Sequence, residues 1–459
     1  MNTVVSILTN QFFLLFLTVA TGLLIGKIKI KNFSLGVSGG IFTGIVIGWA
    51  VTNFAKNAQE GTAGFTAAKR ILNTGVVSSV FFTFFLMMFL IAIGLTVGKN
   101  IGSIFKRYGI RFVVIGVVIP FVSMVVAVFC LKLAPAIMPG TPVNSFEISG
   151  MYSGAMTSTP AYGTALDIVD AMDMGTRFQL LTDEKKAEAI ESMVPGHELF
   201  QNVDLLNELT AEQTETLSES AKSAVSLGYT VAFPIGVLVI VIMISILPKL
   251  FGIDIEKEKE AYQKELLESQ VNTKVIPDRP VDFMLFGFVA FLGIILGNIS
   301  IPLGRFGSFS LGAAGGVLIS ALIFSYIGKI GNVNFRMDTK SLSMVRDMGL
   351  TFFMAVVGLT YGYDVVKSLA GSGLFLAVMA VLVESMAVLV SFLIGRKIFK
   401  LNWVILSGAI CGGCTSAPGL GAALSSIGND EPTAGYGAAQ PFAILANVLL
   451  ITIFHQIFF

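Results

Sequence analysis

The stretches Phe81–Val97, Phe112–Leu131, Val231–Leu247 and Phe375–Ile394 are apolar runs long enough, or nearly so, to cross a hydrocarbon layer as helices. No other feature narrows the possible folds as sharply. Backbone groups in hydrocarbon find no water to bond, so only helices and closed barrels span it. The two-residue alternation of barrel strands is absent, which leaves a helical bundle. A mean hydropathy of +0.82, with 54% hydrophobic and 13% charged residues, agrees with a membrane protein. The apolar stretch Phe12 to Ile25 is followed by Lys27, Lys29 and Lys31 instead of a small-residue cleavage site, so it reads as a first span and not a removable leader.

The chain is also written twice. Ser34-Leu-Gly-Val-Ser-Gly-Gly40 returns as Ser310-Leu-Gly-Ala-Ala-Gly-Gly316, and Ile93-Gly-Leu-Thr-Val-Gly98 as Val357-Gly-Leu-Thr-Tyr-Gly362. Gly154, Thr157, Ser158 and Pro160 are matched by Gly412, Thr415, Ser416 and Pro418, and Gly228-Tyr229 with Pro234 by Gly435-Tyr436 with Pro441. Four blocks in one order define halves at 1–250 and 281–459, joined by a charged linker, 251–280, that reads as a short solvated helix.

Orientation follows from the basic residues, which stay on the cytoplasmic side of short connections. Connections 27–31, 99–111, 249–280, 329–346 and 396–400 hold 20 of the 30 Lys and Arg, so all five are placed inside. Only two full spans, near 112–132 and 226–248, then fit between 111 and 249, and the Thr157 phrase must enter and leave on the outer side. The same count makes the Thr415 phrase re-entrant from the cytoplasm. The expected fold is an all-α polytopic membrane protein of two inverted-topology repeats, each with five transmembrane helices and one re-entrant hairpin. Both termini fall outside. The stretch 167–222, with thirteen acidic against four basic residues, becomes an extracytoplasmic insertion at 168–222. It holds a capped helix starting after Thr210.

Inverted repeats with two broken segments are a signature of secondary transporters, whose sites form where the breaks meet. The competing reading of each phrase is a proline kink in a spanning helix. Pro160 and Pro418 cannot donate and push Thr159 and Ala417 toward extended geometry. Hydroxyls of Thr157, Ser158, Thr415 and Ser416 suit freed backbone groups or a small polar ligand. A helix restarting after each break aims its positive end at the site, which favours a carboxylate. The candidate substrate residues are therefore Thr157, Ser158, Thr159, Pro160, Thr415, Ser416, Ala417 and Pro418. Tyr162 against Leu420 is where the two phrases differ most.

Glu384, an ionisable residue inside an apolar run, is a candidate for coupling or substrate contact. Asn429, Asp430, Gln440, Tyr229 and Tyr436 join it, with loop chemistry the alternative for Asn429 and Asp430. Gly154, Gly412, Gly94 and Gly358 are candidate hinge or packing positions. Cys411-Gly-Gly-Cys414 has Ser153 and Met156 in the first half, so it reads as small-residue packing and not a redox or metal motif. Gly94-Leu-Thr-Val-Gly98-Lys99 is one residue short of a phosphate loop. No metal, no catalytic residue and no nucleic-acid footprint is expected.

GAMTSTPAYGTAL with GYTVAFPIG, and GGCTSAPGLGAAL with GYGAAQPFA, resemble the paired transmembrane domains of the aspartate:alanine exchanger family of bacterial inner-membrane transporters. The resemblance implies an antiporter for small carboxylates or amino acids, of the aspartate:alanine or dicarboxylate kind, working by alternating access with moving hairpins. It also implies a homodimer in the cell membrane. Family members carry a large cytoplasmic insertion between the halves, for which the linker 251–280 leaves no room. The stretch FFLMMFLIAIGLTVGKNIGSIFKRYG is similar to the third span of sodium/glutamate symporters, which keeps sodium-coupled uptake as an alternative, with sodium as the co-ion. An uncoupled channel or exporter component is the third possibility.

Overall fold

A computed structural model describes residues 2–27, 39–62, 64–137, 143–194, 196–200, 208–269, 276–302, 308–309, 311–368 and 373–458. The basic residues Lys29 and Lys31, residues 34–38 of the first repeated block, and linker residues 270–275 lie outside these. The protein is an all-α, multi-pass membrane protein with two minor two-residue ribbons.

The first half contributes α1 (Asn2–Leu8), α2 (Gln11–Gly26), α3 (Gly39–Asn57), α4 (Phe65–Thr74), α5 (Ser79–Ile137), α6 (Ser145–Ala155), α7 (Thr159–Ala171), α8 (Met174–Gln179), α9 (Asp183–Met193) and α10 (Ala211–Leu250). After α11 (Ile255–Ser269) come α12 (Phe283–Asn298), α13 (Gly312–Ile327), α14 (Thr339–Ser368), α15 (Gly373–Leu393), α16 (Trp403–Gly413), α17 (Ala417–Ile427) and α18 (Pro432–Phe458). Among the described residues, six segments are long and apolar enough to span a bilayer: Ser79–Lys99 and Lys106–Ala134 within α5, then α10, Thr339–Tyr363, Gly373–Ile398 and α18. Helices α2, α12 and α13 are shorter apolar helices.

Local chemistry sets the helix starts identically in both halves. Asn10 caps α2 and Asp282 caps α12; Asn144 caps α6 and Asn402 caps α16; each side-chain oxygen accepts one or two first-turn N–H groups. Thr210 forms a capping box with Gln213 at the start of α10, as the sequence pattern indicates, and the same helix then runs unbroken to Leu250.

Small residues set the packing. Helix α3 lies on α14, where a Cβ on Gly358 would meet the Ile41 carbonyl oxygen at 2.4 Å. Helix α13 lies on α5, where a Cβ on Gly94 would meet the Ala321 methyl at 2.6 Å. Each half thus lends a helix to the other, and the halves at 1–250 and 281–459 interlock instead of forming two separate bodies. Gly154 on α6 faces Tyr229 of α10, and Gly412 on α16 faces Tyr436 of α18, in the same backbone-to-backbone manner. All four glycines proposed for hinge or packing sit at such crossings.

The basic connection 99–111 is helical throughout, because nothing in it breaks a helix and its two ends continue as apolar spans. One expectation is corrected. The linker helix α11 is docked, not freely solvated. Tyr262 is 1% exposed, Glu258 pairs with Arg396 at 2.9 and 3.0 Å, and the Glu258 carbonyl accepts from the Asn402 side chain. Arg107 donates to the Glu265 carbonyl and Tyr108 bonds to its carboxylate, so α11 also ties down the basic middle of α5.

Candidate functional site

Helices α6 and α7 are separated by three residues, Met156, Thr157 and Ser158, and they double back. Leu180, Lys185 and Met193, which follow α7, line one recess with Asn144 and Phe146 at the start of α6. Helices α16 and α17 are separated by Cys414, Thr415 and Ser416, and the residue that follows α17's loop, Pro432, packs its backbone on Gly408 of α16. Each phrase is a full break of three residues between two short helices. Helix α18 starts beside the middle of α16, with Pro432 against Gly408, and ends, at Phe458, beside Asn144 at the start of α6. The hairpins therefore approach from opposite ends of α18.

The two turns are the same structure. Thr157 N–H donates to Gly154 O at 2.8 Å and Ser158 N–H to Ser153 O at 2.9 Å; Thr415 N–H donates to Gly412 O at 3.0 Å and Ser416 N–H to Cys411 O at 2.9 Å. This is a Schellman ending, whose αL position is normally glycine. Here it is threonine, at φ 48° and 52°. A β-branched residue in that region is strained, at about 1–3 kcal/mol, and such strain points to a requirement for the side chain.

The requirement is visible. Thr157 Oγ1 donates to the Cys414 carbonyl at 3.0 Å, and Thr415 Oγ1 donates to the Met156 carbonyl at 2.9 Å. The hairpin tips clasp each other through a reciprocal pair of bonds. Ser158 and Ser416, both fully buried, cap α7 and α17 by accepting from Ala161 N–H and Gly419 N–H. All four hydroxyls are engaged within the protein. Pro160 and Pro418, second residues of α7 and α17, carry no N–H, so the uncapped donors at the two helix starts are Thr159 N–H and Ala417 N–H.

The surroundings of the tips differ. Thr159 is exposed, and its hydroxyl lies 3.3 Å from the Tyr229 hydroxyl; Tyr229 stacks on Tyr162 at 4.1 Å, and Tyr162 bonds to Ser226 at 3.0 Å. Phe233 and Tyr361 extend this aromatic wall. Its counterpart is closed. Ala417, Pro418 and Leu420 are buried, and a Cβ on Gly421 would meet Met354 and Leu350 of α14 within 2.7 Å, whereas a Cβ on the matching Gly163 would meet nothing within 4 Å. The start of α7 is therefore open where the start of α17 is covered.

The remaining candidates disperse. Gln440 donates to the Tyr436 hydroxyl at 3.0 Å, both buried beside α16. Asn429 bonds to Glu431 through its side chain in a local turn, and Asp430 is ion-paired to Arg346 of α14. Glu384 is fully buried on α15 with the Cys414 thiol beside it. The described residues contain no cluster of three metal-ligating side chains. Ser226, Phe233 and Tyr361 were missed by the sequence reading. One signal existed: Tyr361 stands where the first copy of its block has Val97, and Phe233 where the second has Gln440.

Broken helices meeting inside a multi-pass helical bundle define a membrane protein of the permease class. The chain belongs to the aspartate:alanine exchanger family, described as a predicted permease membrane region, which matches residues 14–249 and 285–456 and is interrupted at the linker. It is similar to an uncharacterized transporter of Bacteroides fragilis, 25% identical over 97% of this chain and 98% of the relative. Uncharacterized transporters of Bacteroides thetaiotaomicron and Geobacter sulfurreducens are 34% and 37% identical over 40% and 38% of this chain. Those two matches span about a third of each relative, 34% and 32%. No solved structure matches.

Proposed function

We propose that the protein is a secondary active transporter that exchanges small carboxylates or amino acids, of the aspartate:alanine or dicarboxylate type, by alternating access. The fold is read as two inverted repeats of five spans and one re-entrant hairpin each, 1–250 and 281–459. Basic connections face the cytoplasm, and insertion 168–222 lies outside. The observation that carries the reading is the reciprocal clasp between two opposed hairpin tips, with a cleft open on one side of it only.

A carboxylate entering along α7 meets the Thr159 N–H and hydroxyl, the Tyr229 and Tyr162 hydroxyls, and the positive end of α7. No buried Lys or Arg is needed. On the other side Ala417 takes the place of Thr159, so the site is symmetric in backbone and polar on one side. Transport requires the clasp to break and the α17 side to open. The bilayer, and a second copy of the chain in a homodimer, cover the apolar exterior that includes Phe16, Phe121 and Phe291.

The test is counterflow in proteoliposomes loaded with alanine, aspartate, glutamate or succinate, with and without sodium. Exchange that needs a trans substrate and no sodium is expected. Sodium-dependent net uptake would replace the antiport reading by a symporter, and leakage needing neither would replace it by a channel.

A further inference from the structure

Glu384 sits on α15 with 0% exposure, and among the described residues its carboxyl has no charged partner and only the Cys414 thiol within hydrogen-bonding reach. The Cys414 thiol lies against it and Cys411 is its other titratable neighbour, both from the second hairpin. Helices α5, α6, α10, α14 and α16 pack on α15, and none brings a Lys, Arg, His, Asp or second Glu into electrostatic contact with this carboxyl. Such a residue is costly wherever packing alone could be met by an apolar side chain.

Its placement explains why it is tolerated. Cys414 is the residue whose carbonyl accepts the Thr157 hydroxyl at 3.0 Å, so Glu384 touches one half of the clasp. The first half repeats the arrangement with a neutral group. Ser123, on the matching span, donates to the Met156 sulfur at 2.8 Å, and the Met156 carbonyl accepts the Thr415 hydroxyl. Each half sets one polar side chain against the residue held by the opposite tip. Only the second half makes that side chain ionisable.

We infer that Glu384 is a proton-binding site linked to the clasp, protonated while the tips are joined and ionised when the second hairpin withdraws and admits water. An unpaired carboxylate is not sustained in an apolar interior, so the joined state binds the proton. When the α17 side opens, the proton leaves to water on that side and returns before the tips rejoin. Acid then favours the clasped state, and opening gains as pH rises. This deepens the carrier reading above, because the proton site and the moving tip are the same structure.

The experiment has an arm that needs no substrate. Infrared difference spectra of the purified full-length protein, titrated with base, are expected to show loss of a protonated-carboxyl band that is missing in E384Q and shifted in C414V. Absence of such a band, or its persistence unchanged in E384Q, would overturn the site. The second arm follows the pH profile of counterflow for whichever anion the panel identifies. The wild-type rate is expected to bend at the midpoint of the band, and in E384Q, at whatever rate it turns over, that bend is expected to be lost. An E384Q profile identical to wild type would overturn the link to the clasp, and E384D, which keeps the carboxyl, covers failure of E384Q to fold. If no substrate in the panel moves, the transport reading fails while the infrared arm still decides the proton site.

Discussion

Thr157 and Thr415 hold the αL place that glycine fills at most helix ends, and the cost is offset only by the bond each makes across the molecule. Thr157→Gly relieves about 1–2 kcal/mol of backbone strain and forfeits a hydrogen bond of about 1 kcal/mol. Its melting temperature is expected to stay within a few degrees of wild type while counterflow falls at least tenfold. Unchanged counterflow in both Thr157→Gly and Thr415→Gly would show the clasp to be incidental. Ser158→Ala and Ser416→Ala each remove an N-cap worth about 1 kcal/mol. Folded protein should be recovered from both, with impaired transport, and full activity in both would count against tips that must hold this shape.

At the scale of elements, the hairpins are held by close backbone crossings and one docked strap. A Cβ on Gly408 would stand 1.6 Å from the Pro432 carbonyl oxygen, so Gly408→Ala must push α16 from α18. Overpacking of this kind costs about 1–3 kcal/mol, and a lower melting temperature in detergent is expected. Gly163→Ala meets open space and should melt like wild type, which makes the pair a direct check on the one-sided cleft. Arg396→Ala strands Glu258, whose carboxylate holds both Arg396 and the Trp403 N–H at the start of α16. Because the pair is partly exposed, about 1–2 kcal/mol is expected, read as earlier proteolysis of the linker.

For the whole molecule, the arrangement of sides is the claim most open to disproof. Leu180, 77% exposed, lies in the insertion, and Lys257, whose side chain is 83% exposed, lies on the linker helix. Cysteines placed there should react with an impermeant maleimide from opposite faces of the membrane, Leu180→Cys from outside and Lys257→Cys from inside. Reaction of both from one face would undo the opposed hairpins and with them the transport mechanism.

By itself the sequence determined that the chain is a helical membrane protein, that four short blocks recur in one order, and where two helices break. Those properties rest on short-range causes: apolar run length, proline and glycine punctuation, and caps such as Asn144, Asn402, Ser158 and Ser416, each legible within a few residues. The recurrence of Thr157-Ser158 as Thr415-Ser416 left two occupations open for the hydroxyls, freed backbone groups or a small polar ligand, and in the structure they bond to backbone groups. Only the tertiary structure decided that. Thr157 finds its acceptor 257 residues away and Thr415 finds its own 259 residues away, a pairing that depends on how two halves interlock and not on any local spacing. For the same reason Glu384 beside Cys414, Tyr361 beside Phe233, and the cover of Met354 over Gly421 but none over Gly163 could be seen only once the helices were packed.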